Sequence, residues 1–303
     1  MQGLTEALRS GPVVLDGGLA TQLEAAGYDL SDELWSARLL AQAPEAIVDA
    51  HRAYLAAGAR VVTTASYQAT VAGFERRGHD RTAAVALLGR SIELARRACR
   101  DQASHRPLWV AASVGPYGAA LADGSEYRGD YGLSRADLVR FHRPRMQILA
   151  GAGPDVMALE TVPDAREAEA MLDALEGIGV PAWLSYTVDG DRTRAGQPLA
   201  DAFALAADNP NVIAVGVNCS DPSDATAAVA VAASVTGKPV VVYPNSGERW
   251  DARARQWTGQ ATRPTASVAR WIGDGARLVG GCCRVTPAEI AGLAAAVAAI
   301  PQG

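Results

Sequence analysis

The sequence predicts a (β/α)8 barrel folded as a single domain over 1–303, and three observations lead there. Short apolar runs rich in β-branched residues alternate with longer Ala, Leu, Glu and Arg segments from one end to the other, the pattern of repeated βα units around a parallel sheet. Eight such units can be counted. The apolar runs are continuous rather than alternating, as strands covered on both faces require. Eight units in a chain of this length suit a barrel of about 250 residues with room for longer loops. A doubly wound sheet is the alternative.

The strands are read at 12–15, 60–64, 108–113 and 155–159 in the first half, and at 182–187, 212–217, 239–243 and 276–280 in the second. Helix signals fill the gaps. Pro44 at a first-turn position and Gly58 past the end bracket a helix over 44–57. Ser134 with Asp137, Asp164 with Glu167, Asp221 before Pro222, and Thr286 with Glu289 open further helices through their side-chain oxygens. Pro144, inside the 135–150 pattern, should kink or split that helix. The long irregular stretches 115–133 and 244–262 are rich in Gly, Tyr, Trp and Asp and read as functional loops, since no low-complexity linker divides the chain.

Composition narrows the function classes. A net charge of −5 with both signs mixed along the chain offers no basic face to nucleic acid or an anionic membrane, so small-molecule partners are expected. The N-terminus lacks a basic segment followed by an apolar run, and the Ala/Val-rich stretches at 225–235 and 290–300 are too short and too weakly apolar to span a bilayer, which points to a cytoplasmic protein. Four unevenly spaced cysteines do not make a disulfide framework.

In a barrel the active site is built at the C-terminal ends of the strands. Those ends carry Asp16-Gly17-Gly18, Thr64-Ala65-Ser66-Tyr67-Gln68, Ser113, Glu160-Thr161, Tyr186-Thr187, Asn218-Cys219, Pro244-Asn245-Ser246-Gly247 and Gly281-Cys282-Cys283. Cys219, Cys282 and Cys283 thus share one rim. Thiolates are the soft ligands zinc prefers, and a three-ligand zinc keeps a fourth position open; the alternative is three small buried hydrophobes. Cys99 lies in a helix as an ordinary thiol, and His51, His79, His105 and His142 fall on helices or their flanks, away from the rim. A zinc with three thiolates is a weak activator of water but suits a further thiol, which coordination deprotonates. Asp16 and Glu160 suit an ammonium group, or else cap helices or form an ion pair. Gly17 and Gly18 allow close backbone approach to a ligand, and Thr64 is available to a carboxylate. The aromatics Trp35, Tyr67, Tyr117, Tyr127, Tyr131 and Trp250 crowd the expected mouth and suit a cation.

Taken in order, Leu15-Asp16-Gly17-Gly18, Ser66-Tyr67-Gln68-Ala69, Ser113-Val114-Gly115-Pro116, Phe141-His142-Arg143-Pro144-Arg145, Glu160-Thr161, Gly216-Val217-Asn218-Cys219, Tyr243-Pro244-Asn245-Ser246-Gly247-Glu248 and Gly280-Gly281-Cys282-Cys283 resemble the homocysteine S-methyltransferase family nearly end to end, in its branch using S-methylmethionine or S-adenosylmethionine. The resemblance implies a (β/α)8 barrel with Zn2+ on Cys219, Cys282 and Cys283, homocysteine sulfur on that zinc, and the homocysteine amino group on Asp16 and Glu160. It also implies Thr64 and Asn218 along the amino-acid pocket, and Trp35, Tyr67, Gln68 and Asn245 toward the methyl donor. Thr161 and the 244–247 loop look like the sulfonium-using rather than the betaine-using branch. The implied reaction is methyl transfer from a sulfonium to the homocysteine thiolate, giving methionine; a selenol or betaine-type methyltransferase on the same barrel is the near alternative. A zinc hydrolase, a thiol-based redox or metal sensor, and a phosphate site at Gly280-Gly281 are the rivals from other classes. Arg284 and the 249–255 segment receive no role.

Overall fold

The computed structural model describes residues 3–31, 34–102, 106–251, 256–258, 261–262 and 264–300. Eight parallel strands form one sheet: β1 (Val13–Val14), β2 (Val61–Thr63), β3 (Trp109–Val114), β4 (Val156–Val162), β5 (Ala182–Tyr186), β6 (Val212–Asn218), β7 (Val240–Tyr243) and β8 (Ala276–Val279). Their order is β1-β8-β7-β6-β5-β4-β3-β2. The ring closes between its ends, where Arg60 N–H donates to Val14 O at 2.8 Å and Asp16 N–H to Val61 O at 3.0 Å. All eight expected strands are present, each within a few residues of its expected bounds.

Strand residues alternate between two cores, as the period of two demands. Val14, Val62, Val110, Met157, Leu184, Val215, Val242 and Val279 face the surrounding helices. Val13, Val61, Trp109, Val156, Trp183, Ala214, Val241 and Leu278 fill the barrel, joined by Leu4, Ala7 and Leu8 of the N-terminal helix Leu4–Ser10. Burying both faces is why the runs contain no alternation.

The helix starts follow the sequence signals. Pro44–Ala56 begins on Pro44, Ser134 and Asp137 cap each other reciprocally, and Asp164 and Asp221 accept the N–H of Arg166 and Ser223. Pro144 does not split its helix, which runs unbroken over Arg135–Gly151. Side chains flanking the proline hold it in place: Arg143 bonds the carbonyls of Asp173 and Glu176, and Arg145 that of Gly115. Tertiary anchoring here offsets the lost helical hydrogen bond. The 115–133 loop contains a helix, Tyr117–Leu121, and a tight turn, Ser125–Tyr127; the 244–262 loop carries a hairpin pairing Arg249–Asp251 with Gln256–Thr258. Residues 252–255, and His105, lie outside the described residues. No helix among the described residues is long and apolar enough to cross a membrane.

Candidate active site

The inward register does not stop at the apolar layer. Two residues on, or four, it reaches Thr63, Ser113, Glu160, Ser185, Asn218 and Tyr243, so the upper barrel is polar where the lower is greasy. These groups satisfy one another. Tyr243 donates its hydroxyl to Glu160 Oε2 at 3.0 Å, Ser113 Oγ donates to Glu160 Oε1, and Trp183 Nε1–H donates to the Tyr243 oxygen at 3.0 Å. Asp16 joins from the end of β1, accepting the Thr63 N–H at 2.7 Å and the Thr63 hydroxyl at 3.0 Å.

Asp16 and Glu160 are 4% and 7% exposed and line one pocket of about 120 Å³. Burial pushes Asp16 up to about 8 and Glu160 up to about 7, because a carboxylate leaving water loses solvation that hydrogen bonds only partly restore. Among the described residues neither forms an ion pair. Two buried carboxyls without a cation make a site that gains most from a ligand bringing one.

The same pocket is lined by Cys219, Cys282 and Cys283, whose sulfurs lie within 4.8 Å of one another. Cys219 and Cys282 are joined as a disulfide across a Cα–Cα distance of 5.6 Å, and Cys283 is free. Reduced, they are three thiols converging on one point. Three backbone bonds aim them: Cys219 N–H to Tyr243 O at 3.3 Å, Cys282 N–H to Pro244 O at 2.8 Å, and Cys283 N–H to Asn245 Oδ1 at 3.1 Å. Desolvation pushes the Cys283 thiol up to about 12, with Glu24, Glu160 and Glu126 nearby adding to it. A thiolate there needs a cation, and an all-sulfur donor set with no histidine among the described ligands fits a soft divalent metal.

Among the described residues six non-glycine residues have left-handed backbone, and four of them, Trp35 (φ 49°), Thr161 (59°), Cys219 (48°) and Arg284 (65°), surround this site. Conformations this rare persist where neighbours over-determine them. Asn218 does so for Thr161 and lines neither cavity; fully buried, it also accepts a hydrogen bond from Ser185 Oγ at 2.7 Å. Arg284 reaches Glu248 with Nε at 3.1 Å and Nη2 at 3.3 Å, tying the loop after β8 to the loop after β7.

The remaining predicted residues divide. Gly17 and Gly18 line the pocket, but their bareness serves packing: a Cβ on Gly17 would come within 2.4 Å of Val285 O, and one on Gly18 within 2.7 Å of Cys282 O. Thr64 lines the pocket with its hydroxyl 2.7 Å from Ser66 Oγ and accepting the Ser113 N–H at 3.1 Å. Trp35 and Tyr67 meet edge to face, ring centroids 6.5 Å apart, beside it. Asn245 lines a larger outer cavity of about 1090 Å³ that shares Cys219 and Cys283 with the inner pocket. Gln68 is buried and lines neither. Tyr117 and Tyr131 pack against each other at a tilt, ring centroids 5.2 Å apart, and line neither cavity, whereas Tyr127 lines both. The Trp250 side chain lies outside what is described.

Sequence reasoning passed over Thr63, Tyr243 and Glu126. Counting by twos from the inward apolar residues would have found the first two. Glu126 had only its place in a loop already marked as functional.

The family model described as homocysteine S-methyltransferase matches residues 13–297. A homocysteine S-methyltransferase of Escherichia coli (strain K12) is 48% identical over 93% of this chain and 94% of its own. The crystal structure of the homocysteine methyltransferase MmuM from Escherichia coli in its metallated form superposes with a TM-score of 0.85 at 45% identity, covering 94% of this chain and 96% of that one. Its oxidized form gives 0.86 at 45% identity, covering 95% and 99%.

Proposed function

Because the chain belongs to the homocysteine S-methyltransferase family, we propose that it moves a methyl group from a sulfonium donor, S-methylmethionine or S-adenosylmethionine, to the sulfur of L-homocysteine, forming methionine. One observation carries the reading: three convergent sulfurs and two buried carboxyls without a cation line the same small pocket. Homocysteine is a thiol with an ammonium at the other end. Cys219, Cys282 and Cys283 would hold Zn2+, which when bound offers an open position that keeps a thiol deprotonated at neutral pH.

The chain's own groups supply the rest. Asp16 and Glu160 bind the ammonium, and Thr63, Ser113 and Tyr243 hold those carboxyls in place through the bonds given above. Trp35, Tyr67 and Tyr127 line the pocket, where an aromatic ring face attracts a cationic donor. Thiolate attack on the methyl carbon breaks the carbon–sulfur bond of the donor, whose sulfur keeps the electron pair and becomes a neutral thioether. Opposite charges cancel, so no general base is needed and alignment is the main demand. The whole of 1–303 acts as one domain in the cytoplasm, without nucleic acid or membrane as partner.

The purified zinc-loaded protein, given homocysteine and each sulfonium in turn, should produce methionine. No methionine with either donor would refute the proposal.

A further inference from the structure

We propose that Glu126 is the residue that selects a positively charged methyl donor, its carboxylate standing against the onium centre where the outer cavity opens into the inner pocket. This rests on the methyl-transfer reading above and adds to it a specificity-determining residue.

Position is the first ground. Seven of the described lining residues are common to the inner pocket and the outer cavity, and Glu126 is the one acid among them, beside Trp35, Tyr127, Cys219 and Cys283. A donor must present its methyl beside the cysteine cluster while the rest of it extends outward, so its charged sulfur passes this boundary. The homocysteine ammonium has Asp16 and Glu160 deeper in.

An unpaired charge is the second. Glu126 Oε2 is buried and has no hydrogen-bond partner, and among the described residues no arginine or lysine pairs with this carboxylate. Burial pushes its carboxyl above the ordinary range and Asp123 nearby pushes the same way, while its own backbone N–H offsets part of the rise. Leaving a carboxylate desolvated and unpaired is costly, and a cationic ligand removes that cost.

Rigidity is the third. Glu126 sits in the turn Ser125–Tyr127, whose Ser125 N–H is held by Asp123 Oδ1 at 3.0 Å and whose Ser125 carbonyl accepts from Arg128 and Gly129, both at 3.0 Å. Backbone packing is so close that a Cβ on Gly118 would come within 2.4 Å of Glu126 N. The carboxylate is therefore presented by fixed backbone. Among the described residues the field outside has the same sign: the outer cavity is lined by seven acidic residues and two arginines, of which Glu248 and Arg284 pair with each other. Such a cavity concentrates cations.

A carboxylate beside the onium centre meets positive charge both in the bound donor and, with the methyl only part-transferred, in the transition state, so it favours the two nearly alike. It should therefore lower the donor KM and leave kcat nearly alone. In the zinc-loaded enzyme, Glu126→Gln should raise the KM for the sulfonium donor about ten- to hundredfold, with kcat, homocysteine KM and zinc content unchanged. Its melting temperature should hold or rise, because a merely structural carboxylate would lower it on removal. A donor KM that does not move, or a homocysteine KM that moves instead, overturns the assignment.

Calorimetry on the unaltered zinc-loaded protein gives an arm that needs no turnover and no variant. Tetramethylammonium, an unreactive onium, should bind, and uncharged tert-butanol of similar size should not; equal behaviour of the two overturns the proposal. If wild-type protein makes no methionine from any sulfonium yet binds tetramethylammonium and loses it in Glu126→Gln, the methyl-transfer reading has failed and the onium site stands.

Discussion

Asn218 grips Thr161 from both sides: its Oδ1 accepts the Thr161 N–H at 2.7 Å and its Nδ2 donates to Thr161 Oγ1 at 2.7 Å. Thr161 has left-handed backbone where the register between β4 and β5 shifts, and the residue before it is Glu160. The strained step within β4 aims Glu160, and Asn218 holds that step. Asn218→Ala should therefore strand the buried N–H of Thr161, while Ser185 Oγ keeps its bond to Tyr243, and cost about 1–3 kcal/mol of stability. Urea unfolding measures this, and a loss below about 1 kcal/mol would mean the grip is dispensable. Homocysteine KM should rise in the same variant.

The two buried carboxyls give the ligand-free protein a distinctive pH dependence. Asp16 has an ordinary value of 3.8 raised to about 8, and Glu160 one of 4.5 raised to about 7. The native state thus holds protons that the unfolded chain has released. Their contribution is complete below the unfolded values and is lost as the pH climbs through the folded ones, so it falls between pH 5 and 8. His51 acts oppositely: buried without a partner and lowered to about 4, it costs stability as the pH drops below 6.5. The Asp16→Asn variant cancels the His51 effect by subtraction. Its stability between pH 5 and 8 should fall less than wild type by an amount on the order of a few kcal/mol, measured by denaturant midpoints across the range.

Removing a metal ligand should separate the four cysteines by role. Cys282→Ala should lose bound zinc on dialysis, while Cys99→Ala, in the helix Arg81–Asp101, should keep it. Elemental analysis reads both. Stoichiometric zinc in Cys282→Ala would remove that residue from the ligand set.

Asn245 touches the same cluster through one hydrogen bond, accepting the Cys283 N–H. Groups that orient a ligand tune metal affinity about ten- to hundredfold without binding the metal themselves. Asn245→Ala should weaken zinc retention by that factor in competition with a chelator. Unchanged affinity would show that Cys283 is aimed by the remaining backbone alone.

Much of this was legible because strand burial and helix capping are local signals. The eight runs, the capping oxygens of Ser134 and Asp221 and the common rim of three cysteines all follow from residues read in order. What escaped depends on contacts between distant segments. Tyr243 read as one more apolar strand residue, and only the ring closing opposite β4 turns its hydroxyl onto Glu160. The family resemblance places Asn218 along the pocket; that its amide is consumed by Thr161, far off in sequence, shows only in the fold. Pro144 read as a break because local propensity takes no account of the arginines beside it. The pairing of Arg284 with Glu248 is likewise invisible until two loops are brought side by side.

The lower barrel is filled from wall to wall by Trp109, Trp183, Leu278 and their neighbours, with Leu4 and Leu8 beneath them. A vessel with a solid floor has one door. Both reactants must then use it, and the deeper one is covered by the shallower. We expect homocysteine to bind before the donor, and the methionine made from that homocysteine to leave after the demethylated donor. The order of assembly would be written not in a moving gate but in the packing at the opposite end of the molecule.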